Sequence, residues 1–384
     1  MRVPIAQQRG LLVQASTFPQ GAATEQARGV KTKVLIVDDS PLMRRLLSDI
    51  VNAAADMCVV GVAADPIIAH EMIKTLAPDV LTLDVEMPKM NGIEFLRRLM
   101  RFRPMPVVMV SSYTASGTEQ TLKALELGAV DFVTKPMPSA QSMAAEFAGE
   151  VRDKIRNARA SRVPASDHAV IDRPAQPLVI PPARPGWRPA PEDLIVIGAS
   201  TGGTEALKAV LVTLPENTPG ILIVQHMPES FTGSFAKRLD SLCRIQVKEA
   251  GHGERVQPGT AYVAPGHSHL LARKSGVGYV TELSRSEPVN HHRPSVDVLF
   301  HSAAACAGRH AVGAILTGMG KDGAAGMLAM KRAGAWNIGQ DQASCVVFGM
   351  PREAIALKAV DEVLPLAAIG ARLMSRLYTT VRNT

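Results

Sequence analysis

Short apolar runs that end in polar residues recur along this chain, and they constrain its fold more than any other feature. The run "KVLIV" leads into Asp38 and Asp39, and "VLTL" leads into Asp84. Helical segments with one apolar face, such as "PLMRRLLSDIVNAA", separate these runs. Apolar strands that alternate with helices predict a parallel sheet covered on both faces, with the polar residues gathered at one edge. The sequence therefore predicts an α/β fold.

A proline-rich stretch divides the chain into two such regions. Eight of the 27 prolines lie between residues 161 and 191, a composition typical of an extended spacer. After it come the strand-like runs "LIVIGAS", "GILIVQH" and "AVGAILTGMG", and "TAYVAPG", "HLLARKSG" and "GYVTEL" predict shorter strands in a hairpin excursion. The predicted organisation is a disordered leader or an early start codon over 1–31, a first domain over 32–150, a helix end and linker over 151–191, and a second domain over 192–384.

The composition excludes several classes of protein. No apolar run approaches the roughly 18 residues of a membrane span, and no apolar core with a cleavage site is recognisable near the N-terminus. The four cysteines show no paired spacing, which favours a reducing, cytoplasmic compartment. The net charge of +7 comes from dispersed basic residues without a helix-turn-helix or RNA-binding motif. We therefore expect no nucleic-acid partner and no membrane insertion.

Polar side chains end four of the strands predicted for the first domain. Asp38, Asp39 and Asp84 would converge at the sheet edge and repel one another unless a cation lay among them. Carboxylate oxygens suit Mg²⁺, which also neutralises an incoming phosphoryl group. Asp84 could then attack phosphorus as a carboxylate nucleophile, with Ser111 and Lys135 at the neighbouring strand ends.

The motifs "VDDS", "LTLDVEMPKMNG", "MVSS" and "VTKP" resemble the receiver domain of two-component response regulators over about residues 32–137. The resemblance implies a flavodoxin-like, five-stranded parallel sheet in which a sensor histidine kinase phosphorylates Asp84. Phe132 stands where receivers that switch through a tyrosine carry that residue. The resemblance implies a Mg²⁺ site formed by Asp38, Asp39, Asp84 and the backbone carbonyl of Glu86, and phosphoryl sensing by Ser111 and Lys135.

In the second domain, a serine lies among small residues in "LIVIGASTGGTEAL". A phosphate-binding loop, a tight structural turn and a nucleophile at a strand-to-helix bend would each explain this pattern. The Walker sequence and the dinucleotide fingerprint are both absent. Gly198, Ser200 and Gly202 match the nucleophile elbow, in which small residues relieve a strained turn that exposes the hydroxyl.

A nucleophilic serine needs a base and an orienting carboxylate at the same sheet edge. His226 ends the next strand-like run, and Asp322 lies in the glycine-rich loop after a later one. The alternatives are a hydrogen-bonded structural histidine and a helix cap. Four further histidines lack the cysteine or carboxylate neighbours that would complete a zinc site. These are His267, His269, His291 and His292.

The motifs "GASTGG", "QHMP", "HRPSVDVLF", "LTGMGKDGAAGM" and "ASCVVFGMPREA" resemble the C-terminal domain of the CheB family of chemotaxis protein-glutamate methylesterases, over about residues 192–367. The resemblance implies a doubly wound α/β domain, without a cofactor, that hydrolyses γ-glutamyl methyl esters on bacterial chemoreceptors. Ser200 would be the nucleophile, His226 the general base and Asp322 its orienting carboxylate.

The same resemblance assigns supporting roles around the serine. The backbone near Met319, with Thr201, would stabilise the oxyanion. Arg293 and Asp297 in "HRPSVD" would either shape the pocket mouth or pack structurally. Deamidation of receptor glutamines would use the same acyl-enzyme chemistry, whereas a response regulator with a purely binding output would need no intact triad. We expect the first domain to inhibit the second until Asp84 is phosphorylated.

Overall fold

The computed structural model describes residues 31–87, 90–112, 114–136, 144–161 and 187–379. The leader predicted over 1–31 and the linker predicted up to residue 191 lie mostly outside these ranges. The first domain contains a five-stranded parallel sheet in the order β2-β1-β3-β4-β5. Its strands are β1 (Thr32–Val37), β2 (Met57–Ala63), β3 (Val80–Asp84), β4 (Val107–Ser111) and β5 (Asp131–Thr134).

Among the described residues, five helices accompany this sheet, and local sequence signals start the first two of them. Ser40 caps α1 and Asp65 caps α2, and each cap is followed by a proline, whose missing N–H is no loss in the first turn. The helices are α1 (Pro41–Asn52), α2 (Pro66–Leu76), α3 (Gly92–Phe102), α4 (Ala115–Glu126) and α5 (Ala144–Ala160). The predicted five-stranded α/β domain is thereby confirmed.

The second domain is built on a seven-stranded parallel sheet in the order β14-β13-β12-β6-β7-β9-β8. The chain leaves β6 towards β7 and returns on its other side as β12, so a topological switch point lies beside β6. The strands are β6 (Leu194–Ala199), β7 (Gly220–Gln225), β8 (Gln246–Glu249), β9 (Thr260–Val263), β12 (Ala311–Ile315), β13 (Trp336–Gln340) and β14 (Glu362–Leu364).

A separate hairpin, β10 (His269–Ser275) and β11 (Gly278–Ser284), accounts for part of the predicted excursion. The run "TAYV", predicted as part of that excursion, instead forms β9 and joins the main sheet. None of the described helices is both long and apolar enough to cross a membrane. The helices are α6 (Gly203–Leu211), α7 (Glu229–Asp240), α8 (Val296–Cys306), α9 (Ala324–Arg332), α10 (Met350–Ala356) and α11 (Leu366–Thr379).

The two domains are packed against each other through an apolar cluster that continues from one into the other. Within this cluster, the rings of Phe132 on β5 and Phe231 on α7 are in contact, with centroids 4.3 Å apart. At its edge, Glu126 of α4 accepts a hydrogen bond from Arg238 Nε at 2.8 Å and lies 3.6 Å from Lys208 Nζ. The second domain therefore covers one flank of the first domain, including the last strand of its sheet.

Candidate active site and phosphorylation site

The turn that carries Ser200 joins β6 to α6, and each of its glycines is required for a different structural reason. A Cβ at Gly198 would collide with the first residue of α8, and one at Gly203 would collide with the side-chain amide of Gln225. Gly202 has φ 76°, the left-handed region that glycine adopts without strain. Ser200 itself is not among the residues with positive φ. Gly202 makes the sharp bend instead.

His226 follows β7 and lies between the carboxylate and the serine turn. Its Nε2 lies 2.8 Å from Oδ2 of Asp322, and its Nδ1 is buried without a hydrogen-bond partner in the described chain. The amide of Gln225 donates to the backbone carbonyls of Ser200 at 2.9 Å and His226 at 3.2 Å. Gln225 thus ties the two turns together. This arrangement leaves Nδ1 as the nitrogen able to accept a proton.

Asp322 is a buried carboxylate surrounded by donors. Burial alone would raise its pKa, but hydrogen bonds, led by that of His226, hold the pKa well below its ordinary value. The N-terminus of α8 contributes two of the donors, which favours negative charge there. Besides His226, the donors at 2.6–3.2 Å are the backbone N–H groups of Val296 and Asp297, the Ser295 hydroxyl and the Asn290 amide.

The loop after β12 lies directly against the serine turn. Ser200 donates its backbone N–H to the carbonyl of Thr317 at 3.0 Å, so this group is already engaged. A Cβ at Gly318 would approach the Cβ of Ser200 to 2.7 Å, which places the following Met319 at the site. Met319 is 41 % exposed, so it reaches the surface of the protein beside the site.

The first domain reaches this site through the residue next to Ser200. The hydroxyl of Thr201 donates to Oδ2 of Asp131 at 2.5 Å, and the amide of Asn157 donates to Thr201 at 3.4 Å. Oδ1 of Asp131 accepts a hydrogen bond from Lys154 Nζ at 2.7 Å. Ser200 is only 8 % exposed. In the described residues, no hydrogen bond joins its hydroxyl to His226. Catalytic hydrogen bonds are often long or unformed in active sites without substrate.

The acidic cluster of the first domain forms where the sequence predicts it. Ligand oxygens of Asp38, Asp39 and Asp84 lie within 4.8 Å of one another, and this all-oxygen set fits Mg²⁺. Lys135 Nζ lies 3.0 Å from Asp38 Oδ2 and 2.8 Å from Asp84 Oδ2. Burial raises the pKa of Asp84 to about 6, although Lys135 opposes that effect. Ser111 is buried, and its hydroxyl donates to the backbone carbonyl of Gly117 at 3.2 Å.

Glu86 lies two residues after Asp84 and donates its backbone N–H to Asp84 Oδ1 at 3.3 Å. Its own side chain accepts a hydrogen bond from the Ser112 hydroxyl at 3.1 Å. The backbone of Glu86 is therefore held at the acidic cluster. Its carboxylate points to a separate partner.

The other candidate residues named in the sequence analysis have structural partners. Asp297 is buried and accepts hydrogen bonds from Gly326 N–H and Asn290, which supports packing rather than a place at the pocket mouth. Arg293 is exposed and donates to two backbone carbonyls of its own loop. His269 accepts from the Ser295 N–H and bonds Glu287 O. Within the described residues, no zinc-type cluster forms around the histidines.

Sequence reasoning missed several contributors to the site. Ser295 lies inside the motif "HRPSVD" at the N-cap of α8, where helix-capping rules could have suggested it, whereas Asn290 lies two residues before that motif without such a signal. Asp131 and Lys154 gave no local signal, because Asp131 meets Thr201 only where the two domains pack together, and Lys154 contacts Asp131 rather than Thr201. His292 was considered only as a metal ligand, but its ring stacks on that of His226 with centroids 3.8 Å apart.

Comparison with known proteins identifies two families along the chain. Residues 195–373 match the family described as CheB methylesterase, and residues 34–146 match the response regulator receiver domain. A protein-glutamate methylesterase/protein-glutamine glutaminase of Nitrosomonas europaea is 61% identical over 348 residues, which cover 90% of this chain and 97% of that protein. A protein of the same name from Thiobacillus denitrificans is 61% identical over 346 residues, covering 90% and 96%.

Two solved structures match the separate halves of the chain. The CheB methylesterase catalytic domain of Thermotoga maritima is 42% identical, with a TM-score of 0.47, and the match covers 48% of this chain and 98% of that one. The response regulator domain of Thermotoga maritima CheB is 47% identical, with a TM-score of 0.32, and the match covers 34% of this chain and 97% of that one.

Proposed function

The chain belongs to the CheB methylesterase family, and from that premise we propose that it hydrolyses γ-glutamyl methyl esters of chemoreceptors through Ser200. The observation that carries the proposal is the convergence of Ser200, His226 and Asp322 at the carboxyl ends of β6, β7 and β12. Methanol release from a methylated chemoreceptor tests the activity. The same receptor, carrying glutamine instead, tests deamidation through ammonia release. We propose that the reaction takes place in the cytoplasm, where the receptor and the kinase would meet the enzyme.

In the proposed mechanism, His226 acts through Nδ1. Asp322 stays ionised and accepts a hydrogen bond from Nε2–H, which leaves the Nδ1 lone pair free. Nδ1 removes the hydroxyl proton as Ser200 Oγ bonds to the ester carbonyl carbon. The resulting imidazolium is stabilised by Asp322 and then gives its proton to the departing methanol oxygen.

The carbonyl oxygen carries negative charge in the tetrahedral intermediate. The Ser200 N–H is already bonded to Thr317 and cannot stabilise this oxyanion. We therefore assign stabilisation of the oxyanion to the backbone at Met319 and to Thr201, once Thr201 is released from Asp131. Water then attacks the γ-glutamyl ester on Ser200, with His226 again as the base, and returns free glutamate and free serine. A receptor glutamine reacts in the same way, with ammonia as the leaving group.

The proposed regulation acts through the contact between the domains. A sensor histidine kinase would supply the phosphoryl group to Asp84, with Lys135 beside it as the charge partner. Asp38, Asp39, Asp84 and the Glu86 carbonyl would hold Mg²⁺, which when bound neutralises phosphoryl charge. Asp84 and Lys135 then rearrange, and Ser111 is drawn towards the phosphoryl group.

Two contacts on β5 would transmit that rearrangement to the esterase. Phe132 packs on Phe231, and Asp131 holds Thr201 beside the nucleophile. A movement of β5 and α4 disturbs both contacts at once. The esterase site is then open to a receptor helix, and Thr201 is released.

Magnesium should stabilise the first domain if the acidic cluster is its site. At a concentration 100 times its dissociation constant, a ligand adds about 2.7 kcal/mol of stability, which raises the first melting transition by several degrees. Asp38→Asn should remove this shift in a thermal melt. Glu86→Gln should retain it, because the proposed ligand is the backbone carbonyl and its side chain bonds Ser112. An equal shift from NaCl of matched ionic strength would refute a specific site.

Asp322→Asn should lower methanol release by about 10²–10⁴-fold, less than loss of the nucleophile. The amide misorients His226 and withdraws the charge that stabilises the imidazolium. Asp297→Asn is the matched control, because Asp297 is a buried carboxylate that bonds Asn290 but makes no contact with His226. Equal losses of activity in the two variants would point to damage of α8 rather than to a role for Asp322 in the mechanism.

A further inference from the structure

Two histidine rings are stacked at the active site, and only one of them has a role in the mechanism above. The ring of His292 lies on that of His226, with centroids 3.8 Å apart and planes 16° from parallel. We propose that His292 is a positioning residue that fixes the ring plane of the catalytic base. This role rests on the proposed function, in which His226 is that base.

A tight turn brings His292 to this place. Val289 and His292 exchange both backbone hydrogen bonds, each of 3.0 Å. Between them, Asn290 and His291 have φ of 52° and 66°, the geometry of a two-residue type I′ turn. The Asn290 amide donates to Oδ1 of Asp322 at 2.8 Å. Asp322 therefore orients the base through Oδ2 and holds the turn of the stacking ring through Oδ1.

The stack restricts the one rotation that would misplace the base. Turning the His226 imidazole about χ2 sweeps its ring out of plane, and the flat face of His292 blocks that movement on one side. The bond from Nε2 to Asp322 holds the far side of the ring. Nδ1 consequently stays buried and directed away from the carboxylate, where it can meet the serine proton.

The charges around the stack keep His292 neutral. Burial lowers the pKa of His292 far below its ordinary value, and the charge of His226 lowers it further. Lys154 of α5 and His291 act in the same direction, whereas Asp322 opposes them. A neutral ring presents a π face to the imidazolium that forms on His226, an attractive contact rather than a repulsive one.

The test uses the full-length protein, phosphorylated with acetyl phosphate, and methanol release from a methylated chemoreceptor. His292→Ala should lower kcat about 30–100-fold with KM within twofold, because misplacing a reacting group by about 1 Å has an effect of this size. His292→Phe should restore most of kcat, since its flat ring preserves the stack. His291→Asn is the matched control and should behave as wild type, because asparagine tolerates a positive φ.

Each outcome supports or overturns the proposal. A His292→Ala variant that keeps more than half of kcat overturns it, as does a His292→Phe variant no better than alanine. Should His292→Ala fail to fold, His292→Gln takes its place, and glutamine performing as well as phenylalanine overturns the role of the flat ring. Failure of the triad itself is distinguishable, because Ser200→Ala would then remain active.

Discussion

Ser200→Ala should reduce methanol release from a methylated chemoreceptor by several orders of magnitude. Loss of the nucleophile leaves only substrate binding and oxyanion stabilisation, and in serine hydrolases such a loss lowers kcat about 10⁶-fold. The alanine should fold normally, because the backbone contacts of the turn to Thr317 and Gln225 do not involve the hydroxyl.

Gln225→Leu provides a contrast to this variant. It removes the amide that ties the serine and histidine turns together, but it leaves all three triad side chains in place. We expect it to lower the melting temperature and to retain part of the activity, whereas Ser200→Ala keeps the melting temperature and loses activity. A Ser200→Ala protein with a tenth of the wild-type rate would remove Ser200 from the mechanism.

Glu126→Lys should raise the activity of the unphosphorylated enzyme by about tenfold or more. Glu126 faces Arg238 and Lys208 across the contact between the domains, and its pKa is lowered because these cations and Lys123 outweigh its burial. Reversing its charge replaces attraction with repulsion. A change of only about 1.4 kcal/mol in the closed state shifts the open population tenfold.

Glu71→Lys is the matched control for Glu126→Lys. It makes the same charge change in the same domain, but Glu71 is exposed on α2 and pairs with Lys74 of its own helix. Its basal activity should stay at the wild-type level. Equal activation in both variants would show that net charge, rather than the contact between the domains, controls the rate. Deleting residues 1–160 should also raise basal activity.

The strand-end rule explains why the sequence predicts so much of both sites. Ser200 and His226 each follow a buried parallel strand and Asp84 ends one, so the fold class alone brings them to sheet edges. The rule applies only to strands that the apolar pattern reveals, and short polar strands are not recognised in this way. The segments "QVKE" and "EVL" at the edges of the second sheet are too brief and too polar to predict as strands.

Contacts between distant segments could not be predicted from local pattern. Thr201 was expected to face the oxyanion, yet in this structure its hydroxyl bonds Asp131 of the other domain. The adjacent His291 and His292 look alike in sequence, but the turn packs only the second, which is half-buried, against His226. Such differences depend on which surfaces pack together, and the local sequence pattern does not predict contacts between distant segments.

The central claim is that Ser200 is the nucleophile and that the first domain restrains it until Asp84 is phosphorylated. Its most direct measurement is the rate at which a fluorophosphonate probe labels the full-length protein, with the labelled peptide identified by mass spectrometry. We predict labelling at Ser200 that accelerates about tenfold or more on addition of acetyl phosphate and Mg²⁺, and no acceleration in Asp84→Asn. Labelling at another residue, or a rate at Ser200 that phosphorylation leaves unchanged, would contradict the account.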